Sequence, residues 1–253
     1  MYIRISQLLD HWIHGIRFYI GLTSVLLSLE IWRWAVANHS GSSLLAIRLE
    51  EVYAWVSLGF LGLALLVGPL CSVWRTMPGR LLAYDARRLL GVSAAYFATL
   101  HVLVAYLSLF SFSNPLNLPG AYRQSFVVGA VAWVILLAMA LTSFDAAFRR
   151  MGIWWQRLHR LVYVAVVTAV LHAFIIGTQS TLPVTLAIVG VVLVGLLGLH
   201  SLAIVKQGRS ASRWQLVTIA SMTAALVITM SYGYSKRDKY QIKTEGINSV
   251  QAY

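Results

Sequence analysis

Three histidines stand where histidine is costly. His101 and His172 lie deep inside long apolar stretches, and His159 sits at the basic start of the stretch that contains His172. Ionisable side chains at such depth in a bilayer are expensive and usually functional. Helices rise about 1.5 Å per residue. His101 follows Arg88 by 13 residues and His172 follows His159 by 13, so each imidazole lies about 20 Å in from the basic boundary. Two imidazoles at equal depth, on helices running in the same direction, are what a b-type haem set edge-on between helices requires, one ring nitrogen on each side of the iron. The competing readings of the pair are buried histidines satisfied by neighbouring hydroxyls, a proton relay, or a metal site. The last would want carboxylates or thiols nearby, and the helices supply almost none.

His159 lies between Arg157 and Arg160. It could ligate a second haem, or contact a haem propionate or a flavin beside the arginines. A separation of 13 residues leaves two side chains about 140° apart on an ideal helix, so His159 and His172 need not face one partner. His200 is a candidate partner for His159, or an ordinary histidine near a helix end. His11, His14 and His39 fall in surface segments. Arg88 and Arg157 serve as topology signals and as candidate partners for propionates or an anionic flavin phosphate, since guanidinium suits such oxyanions. Trp154 and Trp155 read as an interfacial anchor with an electron route as the rival reading.

The elements that position these residues follow from composition. The 253 residues are 59% hydrophobic and only 11% charged, far below the roughly one quarter usual for soluble domains. The apolar segments run from end to end and leave no room for a sizeable soluble domain. A net charge of +12 could suggest nucleic acid, but the basic residues lie between apolar segments, as topology-setting charges do. Nucleic acid is therefore excluded as a partner and the lipid bilayer is expected. One cysteine, Cys71, excludes an internal disulfide and any multi-cysteine metal or iron–sulfur site. The first apolar segment lacks the pattern of a cleaved signal and reads as retained.

A spanning helix needs about 20 apolar residues. Seven spans are expected, at 16–36, 51–74, 87–110, 124–143, 155–177, 183–205 and 214–234. The fold class is all-α, a polytopic membrane helical bundle with a six-helix core and a seventh transmembrane helix. The chain divides into an amphipathic segment (1–15), a first span with its outer loop (16–50), the core (51–205), the additional helix (206–234) and a polar basic tail (235–253). Pro69 should end or kink the second helix, and residues 111–120 form a turn-rich loop. Arginines and lysines concentrate in the N-terminal segment and the second, fourth and sixth loops, which places the N-terminus in the cytoplasm. The tail is basic too, but the basic loop before the seventh span is expected to dominate. No internal repeat is present.

Around these histidines the chain resembles the ferric-reductase-like transmembrane family. The resemblance rests on Gly68-Pro69-Leu70, on the run from Arg87-Arg88 through Tyr96 and His101 to Tyr106, on Thr142-Ser143, and on Arg149 to Tyr163 followed by His172. It covers about residues 50–205. It implies a six-helix core with b-type haem, one or two, and a flow of electrons from a cytoplasmic reduced flavin, a flavin reductase or quinol to an outer acceptor such as a periplasmic oxidoreductase. By position it makes His101 and His172 haem ligands and His159 the third family histidine; it also raises FMN as a cofactor. Larger relatives carry a cytoplasmic flavin and nicotinamide domain and two histidines on the third span. Here there is one such histidine and no such domain, so electrons are expected from a partner, in the bacterial inner membrane. Rival functions are a ferric or metal reductase membrane subunit, and a proton-coupled transporter using the histidines. The transporter is disfavoured by the lack of repeats and of paired broken helices.

Overall fold

A computed structural model describes residues 2–42, 44–74, 76–109, 120–176, 183–207, 212–213 and 215–231. The helices are α1 (Tyr2–His39), α2 (Leu44–Val73), α3 (Arg80–Val104), α4 (Gly120–Leu141), α5 (Asp145–Met151), α6 (Ile153–Arg160), α7 (Val162–Ile176) and α8 (Pro183–Gln207), followed by α9 (Gln215–Ser231). A π-helical turn, Ala105–Leu109, continues α3. There is no strand among the described residues. Among the described residues six helical segments are long and apolar enough to cross a membrane: Gly15–His39, Leu44–Val73, Arg80–Ser108, Tyr122–Leu141, Ile153–Ile175 and Thr185–Lys206. The protein is an all-α, integral multi-pass membrane bundle.

The spans differ from expectation chiefly at their ends. α1 is one continuous helix from Tyr2, with no break between a surface lead-in and a span. α2 begins at Leu44, inside what reads as loop. Its first turns carry Arg48, Glu50 and Glu51, and an Arg48–Glu51 contact of 2.8 Å one turn apart shields part of that charge. α2 also runs four residues beyond Pro69 to Val73. The seventh helix is present as α9, shorter than the other six. Most of the loop expected at 111–120 and all of the tail lie outside the described residues.

Two clusters of buried side chains hold the bundle. The larger joins Leu61 and Leu65 of α2, Ala94 and Ala95 of α3, Leu136 of α4, Val166 and Phe174 of α7, Leu193 and Leu196 of α8, and Met222 and Ala225 of α9. The second packs Ile31 and Ala35 of α1 against Leu49, Tyr53 and Phe97. There Phe97 stacks on Phe60 with centroids 5.5 Å apart. Small residues let helices approach, and hydroxyls bond across them, as expected where lipid offers no competing partner. Ser24 bonds Ser93 at 2.8 Å, the Ser57 hydroxyl donates to the Ala94 carbonyl at 2.8 Å, and Tyr53 donates to the Ser28 carbonyl at 3.1 Å.

α4 packs against both α3 and α7, whereas α3 and α7 scarcely touch each other. That gap is where the site lies. Replacing Ser57 by Ala removes the α2–α3 bond. It is expected to cost about 0.6 kcal/mol, the average for such membrane hydrogen bonds, seen as a small drop in the melting temperature of the detergent-solubilised protein.

Candidate functional site: two cavities and three histidines

His101 opens the last turn of α3 before the π-helical turn, and His172 sits one turn before the end of α7. Their rings meet edge to face with centroids 5.8 Å apart. The equal depth expected from spacing is thus realised as direct proximity. Both line a cavity of about 430 Å³ with Ala54, Ala98, Gly129, Ala130, Trp133 and other mostly apolar groups. This volume falls within the range of cofactor sites.

Each imidazole is oriented by a backbone carbonyl of a neighbouring helix. His101 Nδ1 lies 3.1 Å from the Glu50 carbonyl oxygen of α2, and His172 Nδ1 lies 2.9 Å from the Ser125 carbonyl oxygen of α4. A carbonyl can only accept, so Nδ1 carries the proton on both rings and Nε2 is left with a free lone pair. Metal-bound histidines almost always donate their other N–H in this way. Ser125, fully buried, adds its hydroxyl, 2.9 Å from His172 Nδ1 and 3.3 Å from the His172 carbonyl. The Glu50 carboxylate approaches His101 Nδ1 at 3.8 Å.

Among the described residues no group of three or more His, Cys, Asp or Glu side chains could hold a bare metal ion. A haem brings its own four equatorial nitrogens and asks the protein only for axial ligands. The two Nε2 atoms, the apolar lining and the cavity size fit that demand.

A second cavity of about 710 Å³ lies toward the basic end of the bundle. Arg87, Arg88, Tyr84, His159, Arg160 and Tyr163 are among its lining. Leu61 and Leu136 line both cavities and form a common wall. The His159 ring stacks on Trp155 at 3.8 Å, with Nδ1 3.0 Å from the Trp155 carbonyl oxygen. Trp155 in turn donates to the Thr142 carbonyl at 2.9 Å. The turn before it bends at Gly152, whose φ of 51° suits glycine. Arg87 donates to the Ala64 carbonyl at 3.1 Å, and its guanidinium lies in ordinary contact range of Gly68.

Arg88 is the notable group. One of its nitrogens bonds Asp145 at 2.5 Å, while Nε and the other terminal nitrogen are buried without a partner. An unpartnered buried guanidinium edge is costly and fits an anionic ligand such as a propionate or phosphate. Asp145 also reaches Arg17, which makes a bidentate contact with Asp85. The cluster ties α1, α3 and α5 together at the cavity rim.

Arg157, an expected site residue, and His200, read either as a partner of His159 or as an ordinary histidine near a helix end, lie elsewhere. The Arg157 guanidinium sits over the Trp154 ring at 4.6 Å and does not line the cavity, because its helical position points it to the exposed side with Trp154. His200 bonds the Leu196 carbonyl of its own helix at 2.9 Å and lines neither cavity, so the structure does not set it opposite His159. His39 lies against Trp34 at the end of α1. The sequence reading missed Glu50, Ser125, Gly129, Asp85 and Asp145; the spacing Ser125-x3-Gly129, a hydroxyl residue and a glycine one turn apart on an apolar helix, is a signal that could have marked α4.

Residues 53–170 match the family described as Ferric reductase like transmembrane component. The chain is 33% identical over 166 residues to the protein-methionine-sulfoxide reductase heme-binding subunit MsrQ of Salmonella dublin, a match covering 62% of this chain and 81% of that protein. The chain belongs to the ferric-reductase-like transmembrane family. The MsrQ of Cronobacter sakazakii is 40% identical over 111 residues, 42% of this chain and 55% of that protein. The MsrQ of Salmonella newport is 34% identical over 146 residues, 56% of this chain and 71% of that protein. No solved structure matches the chain. The family match spans α2 to α7 and ends two residues before His172. Both cavities are lined chiefly from this stretch.

Arg88 and then Arg17 hold the Asp145 carboxyl below its ordinary range. A depressed carboxylate stabilises the fold fully above its unfolded-state pKa, and that contribution is lost as pH falls through the folded-state value. Below about pH 4, where an ordinary Asp takes up its proton, the melting temperature of the native protein should therefore fall more steeply than that of Asp145→Asn. Parallel pH profiles would exclude a role for this carboxylate.

Proposed function

We propose that the chain is the membrane electron-transfer subunit of an oxidoreductase, carrying one b-type haem between His101 and His172. The observation that carries this reading is the pair of imidazoles 5.8 Å apart, each with Nδ1 bonded to a backbone carbonyl and Nε2 free. When bound, the haem supplies one-electron chemistry at an iron whose potential the axial ligands and the low-dielectric surroundings tune. His101 and His172 offer the axial nitrogens. The apolar wall of Ala54, Ala98, Ala130 and Trp133 excludes water. His159, Arg88 and Arg87 belong to the basic cavity, which suits a second, anionic redox group. With His159 as the single imidazole in its lining and a free guanidinium edge on Arg88, FMN fits there better than a second bis-histidine haem.

The positive-inside pattern puts the basic cavity on the cytoplasmic side of a bacterial inner membrane. Electrons would arrive there from a reduced flavin, a flavin reductase or quinol. The common wall of Leu61 and Leu136 separates the cavities by no more than side chains, a short step toward the outer face. The relatives are named as heme-binding subunits of protein-methionine-sulfoxide reductases, which supports an outer reductase as the acceptor.

Pyridine haemochrome assay against protein mass should return one haem per chain, with a low-spin spectrum lost in His101→Ala and in His172→Ala but kept in His200→Ala. A colourless protein from haem-replete cells would refute the reading. Arg88→Gln should weaken FMN binding about tenfold, as loss of a charge-assisted hydrogen bond worth ~1.5 kcal/mol does, and leave haem content unchanged. Two haems per chain would overturn the flavin assignment.

A further inference from the structure

Among the described glycines, Gly129 has the least room. Helical glycine is about 1 kcal/mol less favourable than alanine, so its use needs a reason. At Gly59, Gly190, Gly195 and Gly198 a Cβ would meet nothing within 4 Å. At Gly129 it would stand 2.6 Å from His172 Nδ1, 2.9 Å from Cε1 and 3.1 Å from Cγ. Real Cβ atoms do not approach other atoms this closely, and these atoms belong to a ring held on two sides, so the ring would have to move.

The direction of the helix explains why this position matters. A Cα–Cβ bond tilts toward the helix N-terminus, so a side chain at position i+4 overhangs the carbonyl of residue i. Gly129 is four residues after Ser125, whose carbonyl receives the His172 Nδ1 proton at 2.9 Å. Removing the Cβ uncovers that carbonyl and lets the imidazole lie against the backbone of α4. The Ser125 hydroxyl closes the contact from the other side, 2.9 Å from Nδ1 and 3.3 Å from the His172 carbonyl. The demand is specific to this helix: four residues after Glu50 stands Ala54, and His101 still bonds the Glu50 carbonyl at 3.1 Å.

We propose that Gly129 is a positioning residue for the haem site: with Ser125 it forms a backbone notch on α4 that sets the ring plane and tautomer of His172. The inference rests on the reading of His172 as an iron ligand.

The test uses the full chain in detergent, with Gly129→Ala, His172→Ala, the double variant, and Gly190→Ala as the same change in open space. Gly129→Ala should bind haem roughly 10–100-fold more weakly, the usual cost of disturbing a group that orients a metal ligand, and should lose the low-spin spectrum. Gly190→Ala should keep both. Where Gly129→Ala also lowers the melting temperature or the folded yield, that loss should vanish in the His172→Ala background, where the added methyl has no ring to meet. The proposal is overturned if Gly129→Ala keeps native haem affinity and spectrum while His172→Ala loses them. An equal loss of stability on adding Gly129→Ala with and without the His172 ring would also overturn it. Retention of the low-spin spectrum by His172→Ala would instead remove the ligand reading on which it stands.

Discussion

An imidazole in the apolar middle of a bundle has to place its N–H somewhere, and in this protein that need governs the site. A buried polar hydrogen without a partner costs several kcal/mol in hydrocarbon. His101 and His172 meet the need with carbonyl oxygens of α2 and α4, at 3.1 and 2.9 Å. Helical carbonyls are already engaged within their own helices, yet each oxygen has a second lone pair. Using it requires that a ring come close to a helix backbone. The small residues Ala54 and Gly129 stand where large side chains would block that approach. The same bonds that satisfy the rings fix their tautomer and leave each Nε2 with its lone pair.

The rest of the architecture serves this pair. α4 lies between α3 and α7, packs on both, and keeps them apart, so the rings converge across a gap instead of a packed interface. The gap is closed toward the basic end by Leu61 and Leu136. Beyond that wall the chemistry changes from apolar to ionic within one or two helical turns. Arg17, Asp85, Arg88 and Asp145 link α1, α3 and α5 there. One guanidinium edge, that of Arg88, has no hydrogen-bond partner among the described residues. A chain with only 8 acidic residues against 20 basic ones places two of its carboxylates at this rim. That use argues for a structured boundary and not a solvated face.

Much of the arrangement was legible in the sequence. Depth is close to linear in residue number, and the equal 13-residue offsets of His101 and His172 bring their rings to 5.8 Å although α6 ends at Arg160 and α7 begins at Val162. The all-helical class and six of the spans followed from apolar length alone, and the motifs from Gly68 to Tyr163 pointed to the family. Azimuth was harder to read. Arg157 reads as an oxyanion partner and His200 as either a partner of His159 or an ordinary histidine near a helix end; Arg157 turns onto Trp154 and His200 onto Leu196. Polar helix ends were also hard to read: α2 starts at Leu44, and Arg48 and Glu51 pair along its first turns. That early start makes the Glu50 carbonyl available to His101. Backbone acceptors leave little trace in residue type: Gly129, one turn after Ser125, hints at the partner of His172, whereas no residue type marks the Glu50 carbonyl.

The central claim is that two imidazoles with free Nε2 atoms ligate one iron across the gap between α3 and α7. Near-infrared magnetic circular dichroism, taken with electron paramagnetic resonance of the oxidised purified protein, reads axial ligation directly. The oxidised protein should show the charge-transfer band and g-values of bis-imidazole low-spin ferric haem. A high-spin signal, or a low-spin signal with a ligand other than histidine on one side, would contradict it.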